Sequence, residues 1–296
     1  MELIDHRFKH GGDVGNRHTF IALGDTHVGS AGCDMAKLKR DIAWLKEQNP
    51  ETTHLILMGD LGDYVDQGDR RFDQEDIDHD VIDLYSGTPI HEQILDALMD
   101  DSLFGDVDDY LRCALRGNHG QQNKADATWQ RYDRVLAQRL GWAPMVRGTD
   151  PDRPGWGLHG GYTAFVRFQF VHVGGGGKKR TALFHVHHGW QSGRTAGAKV
   201  NQLQREIGMF PTCDVLLRGH SHEHFAWKFT TLQTNQRFTD IRYRDVIVGH
   251  TGTYLSAYQK GGESYGERGL YPPTAPGFLK VWVDITGDGI DLWSGV

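Results

Sequence analysis

Five short clusters hold the residues best suited to chemistry: Asp25-Thr26-His27, Asp60-Leu61-Gly62-Asp63, Asn118-His119, His187-His188 and His220-Ser221-His222. They offer carboxylate, imidazole and carboxamide groups, the donor types that suit Mn, Fe, Zn or Ni. A glycine adjoins each cluster: Gly24, Gly59, Gly117, Gly189 and Gly219. An Asp-x-His or His-x-His pair on an extended tip brings alternate side chains to one point only if the backbone bends, and glycine permits such bends and close approach. The pattern therefore points to a metal centre built from loops. The chain carries 17 His and 38 Gly in 296 residues, the latter about 13% against a usual share near 7%. Part of that surplus is concentrated in these clusters.

Each cluster directly follows an apolar run of strand character, at 19–23, 54–58, 111–115, 181–186 and 214–218. In open α/β sheets, ligands bind beyond the carboxyl ends of strands. Asp34 is a candidate N-cap, and Met35, Leu38, Ile42 and Leu45 then recur at helical spacing until Asn49-Pro50. Further helices are expected near 90–99, 128–139 and 198–207. More strands are expected near 162–173, 225–232, 241–248, 278–284 and 290–293, with Gly174 to Gly177 as a hairpin turn. An alternating first half and a strand-rich second half predict an α/β sandwich of two mixed β-sheets flanked by α-helices. No linker or internal repeat stands out, so one domain over 1–296 is expected, with 64–110 as an insertion or lid.

Composition narrows the partners. Lys and Arg total 32 against 39 for Asp and Glu, a net charge of −7, which disfavours a cationic duplex-binding surface. Cys33, Cys113 and Cys213 form no C-x-x-C pair, so neither a disulfide framework nor a Cys-built zinc site is indicated. No run approaches 18 apolar residues and the N-terminus lacks a signal-peptide core. The sequence reads as soluble and cytoplasmic, without membrane attachment.

Taken in order, D-x-H, G-D-x-x-D, G-N-H, H and G-H-x-H resemble the calcineurin-like metallophosphoesterase superfamily. The stretch 187–199 (HHGWQSGRTAGAK) and Asp69-Arg70-Arg71-Phe72 resemble a bacterial and phage branch of it. The resemblance implies two divalent metal ions, Mn first and Fe, Zn, Ni or Mg as alternatives. It places Asp25, His27, Asp60 and His222 on one ion. Asp60, Asn118, a histidine of the fourth block and His220 fall on the other, with Asp60 bridging. His119 would be the acid that meets the leaving oxygen, and Asp63 would orient it. A metal-bridged hydroxide would attack phosphorus, since a cation pair lowers the pKa of water towards about 7 and clamps the phosphate.

Two assignments have alternatives. The fourth block offers His187, which fits H-x-G-W, and His188, which fits H-G; His187 is preferred as ligand, leaving His188 near the substrate. Gly62 to Gly68 (GDYVDQG) resembles the G-D-Y-V-D-R-G block of Ser/Thr protein phosphatases, which would make Asp63 the bridge. The apolar strand ends at Met58, however, which puts Asp60 at the tip. Gln67 stands where those phosphatases have Arg, and Gly120 where the superfamily usually has an acid.

Other residues have plainer readings. His6, His10, His18, His54, His79, His91, His159 and His172 read as ordinary structural or surface histidines, and Asp73 to Asp83 as a solvated acidic face. Arg194 is the cation expected to contact a substrate phosphate, while Trp190 and Tyr254 are candidate base-stacking walls. The implied activity is a metallophosphoesterase, leaning to phosphodiesters, nucleotides or single-stranded nucleic-acid ends. The alternatives are a nuclease subunit and a non-catalytic metal-binding scaffold for a partner protein.

Overall fold

The apolar runs that precede the polar clusters become neighbouring strands. The computed structural model describes residues 2–65, 67–68, 72–119, 132–141, 159–174, 179–189, 195–234, 238–258, 267, 270, 272–287 and 289–296. Strands β1 (Glu2–His10), β2 (Arg17–Leu23), β3 (Thr53–Leu57), β4 (Leu111–Leu115), β5 (His159–Gly161) and β6 (Thr163–His172) come first. They are followed by β7 (Arg180–His187), β8 (Val215–Arg218), β9 (His224–Thr234), β10 (Ile241–Thr251), β11 (Leu279–Ile285) and β12 (Ile290–Gly295). The helices are α1 (Met35–Lys46), α2 (Ile90–Leu98), α3 (Tyr132–Arg139) and α4 (Ala196–Met209).

These strands form two six-stranded mixed sheets, ordered β12-β11-β2-β3-β4-β5 and β1-β6-β7-β8-β10-β9. In the first, β2, β3, β4 and β5 run parallel, so their C-terminal ends share one edge. In the second, β7 and β8 are parallel neighbours. The predicted sandwich of two mixed sheets with flanking helices is the observed fold.

Period-two alternation sorts the side chains into layers. Phe20, Ile56 and Cys113 point inward to meet Val166, Phe168, Phe184, Val215 and Ile247 of the other sheet. Their chain neighbours Ile21, Leu55 and Leu57 point outward, where Leu38, Ile42 and Leu45 of α1 and Ile94, Leu95 and Leu98 of α2 cover them. Burial of each such side chain stabilises the fold by about 1.5–3 kcal/mol. Asp34 does cap α1, accepting from the Lys37 amide, and Thr195 caps α4, accepting from the Ala198 amide. Leu203 of α4 covers Leu216, Val246 and Val248 on the outer face of the second sheet. The segment read as an insertion or lid contributes Ile77, Ile82, Leu103, Phe104 and Val107 to the same apolar cluster as α1 and α2.

Strand β1 has no counterpart among the sequence expectations. It pairs in parallel with β6 at the edge of the second sheet. Ile4, His6 and Phe8 face inward, and two histidines among its inward residues hide the apolar alternation. His6 stacks on Phe168 and meets the Arg112 carbonyl at 2.7 Å. No helix among the described residues is long and apolar enough to cross a membrane.

Candidate metal centre

The chain beyond β2 and the chain beyond β3 continue side by side past the end of the sheet. The Asp25 amide donates to the Gly59 carbonyl at 2.9 Å, His27 to Asp60 at 3.1 Å, and Asp63 to Val28 at 2.9 Å. This ladder sets Asp25 and His27 against Asp60 and Asp63. The loop after β8 joins from the other sheet: the His220 amide donates to Oδ2 of Asp25 at 2.8 Å. The loop after β4 joins through the His119 amide, which donates to Oδ1 of Asp60 at 2.9 Å.

Getting these side chains to one point requires an unusual backbone. Asp25, His27, Asp60, His220 and His222 all have positive φ, between 50° and 64°. Among the described residues only Phe238 and Leu270 share that trait without being glycine. Left-handed backbone costs roughly 1–2 kcal/mol per non-glycine residue, and such strain clusters at functional sites. Gly59, at φ 96°, would need to place a Cβ 2.8 Å from Nδ1 of His188. Gly117 has no such freedom to lose: a Cβ there would overlap Oδ1 of Asp60.

Two overlapping groups of donor atoms result. Asp25, Asp60, His188 and His220 form one, and Asp25, His27 and His222 the other, with donor atoms in each within 4.8 Å of one another. Nε2 of His188 lies 3.1 Å from Oδ2 of Asp60 and 2.9 Å from Oδ1 of Asn118. Nε2 of His27 and Nε2 of His222 face each other at 3.2 Å. Oδ1 of Asp25 and Nδ1 of His27 are enclosed yet make no hydrogen bond, and the enclosed Oδ2 of Asp60 has only the His188 ring beside it. Buried polar atoms normally have partners, so donor atoms left over in this number fit bound cations.

The charges are finely opposed. Burial pushes the Asp25 carboxyl up to about 6, against the pull of His188. Burial would raise Asp60 as well, but His188 and His119 outweigh it and hold Asp60 well below the usual carboxylate range. Burial disfavours a charged His188; Asp60 and Asp25 override that and raise it to about 9. Burial, with His188 adding repulsion, lowers His220 to about 4, and burial beside His27 carries His222 well below its ordinary value. Imidazoles kept neutral are competent ligands.

Beside these groups lies a third. Nδ1 of His119 meets Oδ1 of Asp63 at 2.5 Å, and Nδ1 of His27 lies 3.9 Å from the same oxygen. Burial opposes ionisation of Asp63, but His119 and His27 more than compensate and hold it far below the usual range. An ionised Asp63 fixes the Nδ1–H tautomer of His119.

The expectations for the fourth block divide. The structure brings His188 to the donor cluster, not the preferred His187. His188 is fully buried, and its other nitrogen, Nδ1, is held by the Met58 carbonyl at 2.8 Å. His187 turns its Nδ1 to the Gly189 amide at 2.7 Å. The reason is strand alternation at the end of β7, where consecutive side chains take opposite faces. The geometry likewise puts Asp25 in both donor groups and Asp60, the expected bridge, in one. Tyr254 is no wall: it is buried, and its hydroxyl donates to Asp41 at 2.7 Å. Arg194, Trp190, Gly120, Asp69 to Arg71 and residues 128–131 lie outside the described residues, as do 175–177 of the turn. Two residues beside the cluster were not singled out in the sequence, Arg116 and Tyr162; the Arg116 guanidinium carbon lies 4.3 Å from the centre of the Tyr162 ring.

The calcineurin-like phosphoesterase family model matches residues 18–224. The chain belongs to that family. The match spans β2 to the start of β9 and includes every residue of the candidate centre. Together with the Asp and His clusters it supports a metal-dependent phosphoesterase. No curated protein matches the chain. Among solved structures, vacuolar protein sorting 29 from Cryptosporidium parvum is 12% identical, with a TM-score of 0.37 over 94% of this chain and 97% of that one. Vps29 complexed with zinc from Entamoeba histolytica is 11% identical, with a TM-score of 0.35 over 94% and 98%. A conserved predicted phosphoesterase from Streptococcus pneumoniae is 11% identical, with a TM-score of 0.32 over 94% and 98%. Likenesses of this degree carry no argument about what this chain binds.

Proposed function

We propose that the chain is a dinuclear phosphoester hydrolase, with phosphodiesters or nucleotides as substrates and Mn²⁺ as the first candidate ion. The observation that carries this reading is the pair of donor groups sharing Asp25, with an enclosed oxygen and an enclosed nitrogen that make no hydrogen bond. Asp25, His27 and His222 would hold one ion, and Asp25, Asp60, Asn118, His188 and His220 would hold the other. Divalent ions there supply Lewis-acid polarisation and charge neutralisation of the phosphoryl group.

The remaining work falls to the chain's own residues. Asp63 accepts from Nδ1 of His119 and stabilises the imidazolium. Nε2 of that ring then delivers a proton to the departing oxygen, a contribution of about 10²–10⁴-fold. The strained loops hold the donors in place before substrate arrives, so little reorganisation is left for the reaction.

The test is hydrolysis of a bis-aryl phosphate and an aryl phosphate with added Mn²⁺. Activity is expected on the wild type and lost in Asp60→Ala and His119→Ala. Full activity in those variants would refute the assignment. No hydrolysis with any metal, together with intact metal binding, would favour the scaffold reading.

A further inference from the structure

Arg116 directly follows β4 and stands immediately before Gly117-Asn118-His119. Its amide donates to the Gly161 carbonyl at 2.7 Å, which fixes it beside the loop leading to Tyr162. The Tyr162 carbonyl in turn accepts from the His188 amide at 2.9 Å, and the Tyr162 and His188 rings are 6.1 Å apart. Arg116 and Tyr162 thus form a stacked pair in the wall of the candidate centre, next to Asn118 and His188.

The other partly or fully enclosed arginines are satisfied. Arg112 donates to the Leu111, Asp109 and Pro50 carbonyls and to His54. Arg218 pairs with Glu206 and donates to the Leu217 carbonyl. Arg116 differs: among the described residues no carboxylate or carbonyl receives its side chain, and its Nε is buried without a hydrogen bond. A guanidinium is charged at all accessible pH, and enclosing one without a partner is costly. Stacking on an aromatic face offsets part of that cost, and among the described residues nothing else takes up the donor fork. The ligand that such a fork fits is a phosphate, whose oxygens accept in parallel from two N–H groups.

We propose that Arg116, backed by Tyr162, is a substrate-binding cation that receives the anionic oxygens of the phosphoester. This inference rests on the phosphoesterase reading above. It assigns to Arg116 the task that the sequence pattern gave to Arg194.

The test is calorimetric titration of the Mn²⁺-loaded protein with inorganic phosphate, with Mn²⁺ binding measured first on the same samples. Arg116→Met is expected to bind Mn²⁺ like the wild type and phosphate at least about 10-fold more weakly. Arg116→Lys, which keeps the charge and loses the fork, is expected to fall between them. In turnover, KM should rise more than kcat falls. Should Arg116→Met not fold, Arg116→Lys decides alone. Phosphate affinity unchanged in the folded variants would overturn the proposal, as would a wild type that binds Mn²⁺ but no phosphate. A wild type that binds no Mn²⁺ would instead overturn the metal-centre reading beneath it.

Discussion

Oδ1 of Asp63 lies 2.5 Å from Nδ1 of His119. The two side chains are about one-fifth exposed, so the pair sits at the mouth of the centre and not in its depths. Replacing Asp63 by Asn keeps the shape but removes the charge that favours imidazolium. Asp63→Asn is expected to lower kcat by about 10–100-fold, the usual penalty for losing an orienting carboxylate. His119→Ala should cost about 10²–10⁴-fold. Metal content, measured by elemental analysis, should stay near wild type in both. Full activity in either, or loss of bound metal in both, would count against an acid at His119 oriented by Asp63.

His187 and His188 supply a sharper comparison, because they are adjacent and chemically identical. His188 faces Asp60 and Asn118, whereas His187 serves the local turn at Gly189. His188→Ala is expected to weaken Mn²⁺ binding more than about 100-fold and His187→Ala less than about 10-fold, bracketing the range seen when supporting groups are lost. Calorimetric Mn²⁺ titrations of the two variants check this. The reverse order would return the ligand role to His187.

Gly117 is constrained by the carboxylate it covers. A single methyl group at this position overlaps Oδ1 of Asp60, the same oxygen that receives the His119 amide. Gly117→Ala is expected to destabilise the protein by about 3 kcal/mol or more, in the range of overpacking and strain together. Urea denaturation measures the loss. A Gly117→Ala protein with wild-type stability and activity would mean that the loop yields more readily than its contacts imply.

Acid should destabilise the protein as pH falls below about 6.5. Burial lowers His6 and His18 to about 4 from an ordinary 6.5, away from the candidate centre. Their folded values are depressed, so below pH 6.5 the unfolded chain binds more protons than the folded one. The stability they contribute is complete above pH 6.5 and is lost as pH falls towards 4. Each accounts for up to about 2 kcal/mol at pH 5 by that linkage. Thermal melts at pH 7.5 and pH 5 should show the drop, and His6→Phe should make it shallower. An unchanged slope in that variant would place the acid sensitivity elsewhere.

Much of this architecture is legible in the residues themselves. Apolar runs such as 54–58 declare buried strands, and glycine-bordered Asp and His clusters mark where those strands end. Period-two alternation even sorts Phe20 from Ile21. Strand β1 escapes that reading because its inward positions include His6 and His10, which look polar in a linear pattern but pack against other rings, Phe168 and His172. The choice between His187 and His188 is invisible for a different reason. It depends on which face the last residue of β7 presents, a one-residue matter of register that composition does not encode. Arg116 gives no linear signal either, because what sets it apart is the lack of a partner among the described residues, a property of the folded neighbourhood.

The donors gathered at this edge come from both halves of the sandwich. Asp25, Asp60 and Asn118 extend from the first sheet, and His188 and His220 from the second, with Asp25 and His220 separated by 195 positions in the chain. Cations bound among them would be rivets as well as reagents, fastening two slabs that otherwise adhere mainly through their oily inner faces. Demetallation would then remove more than reactivity. It would uncouple the slabs mechanically at this rim, so that the protein's resistance to unfolding and its capacity for chemistry would be drawn from the same ions.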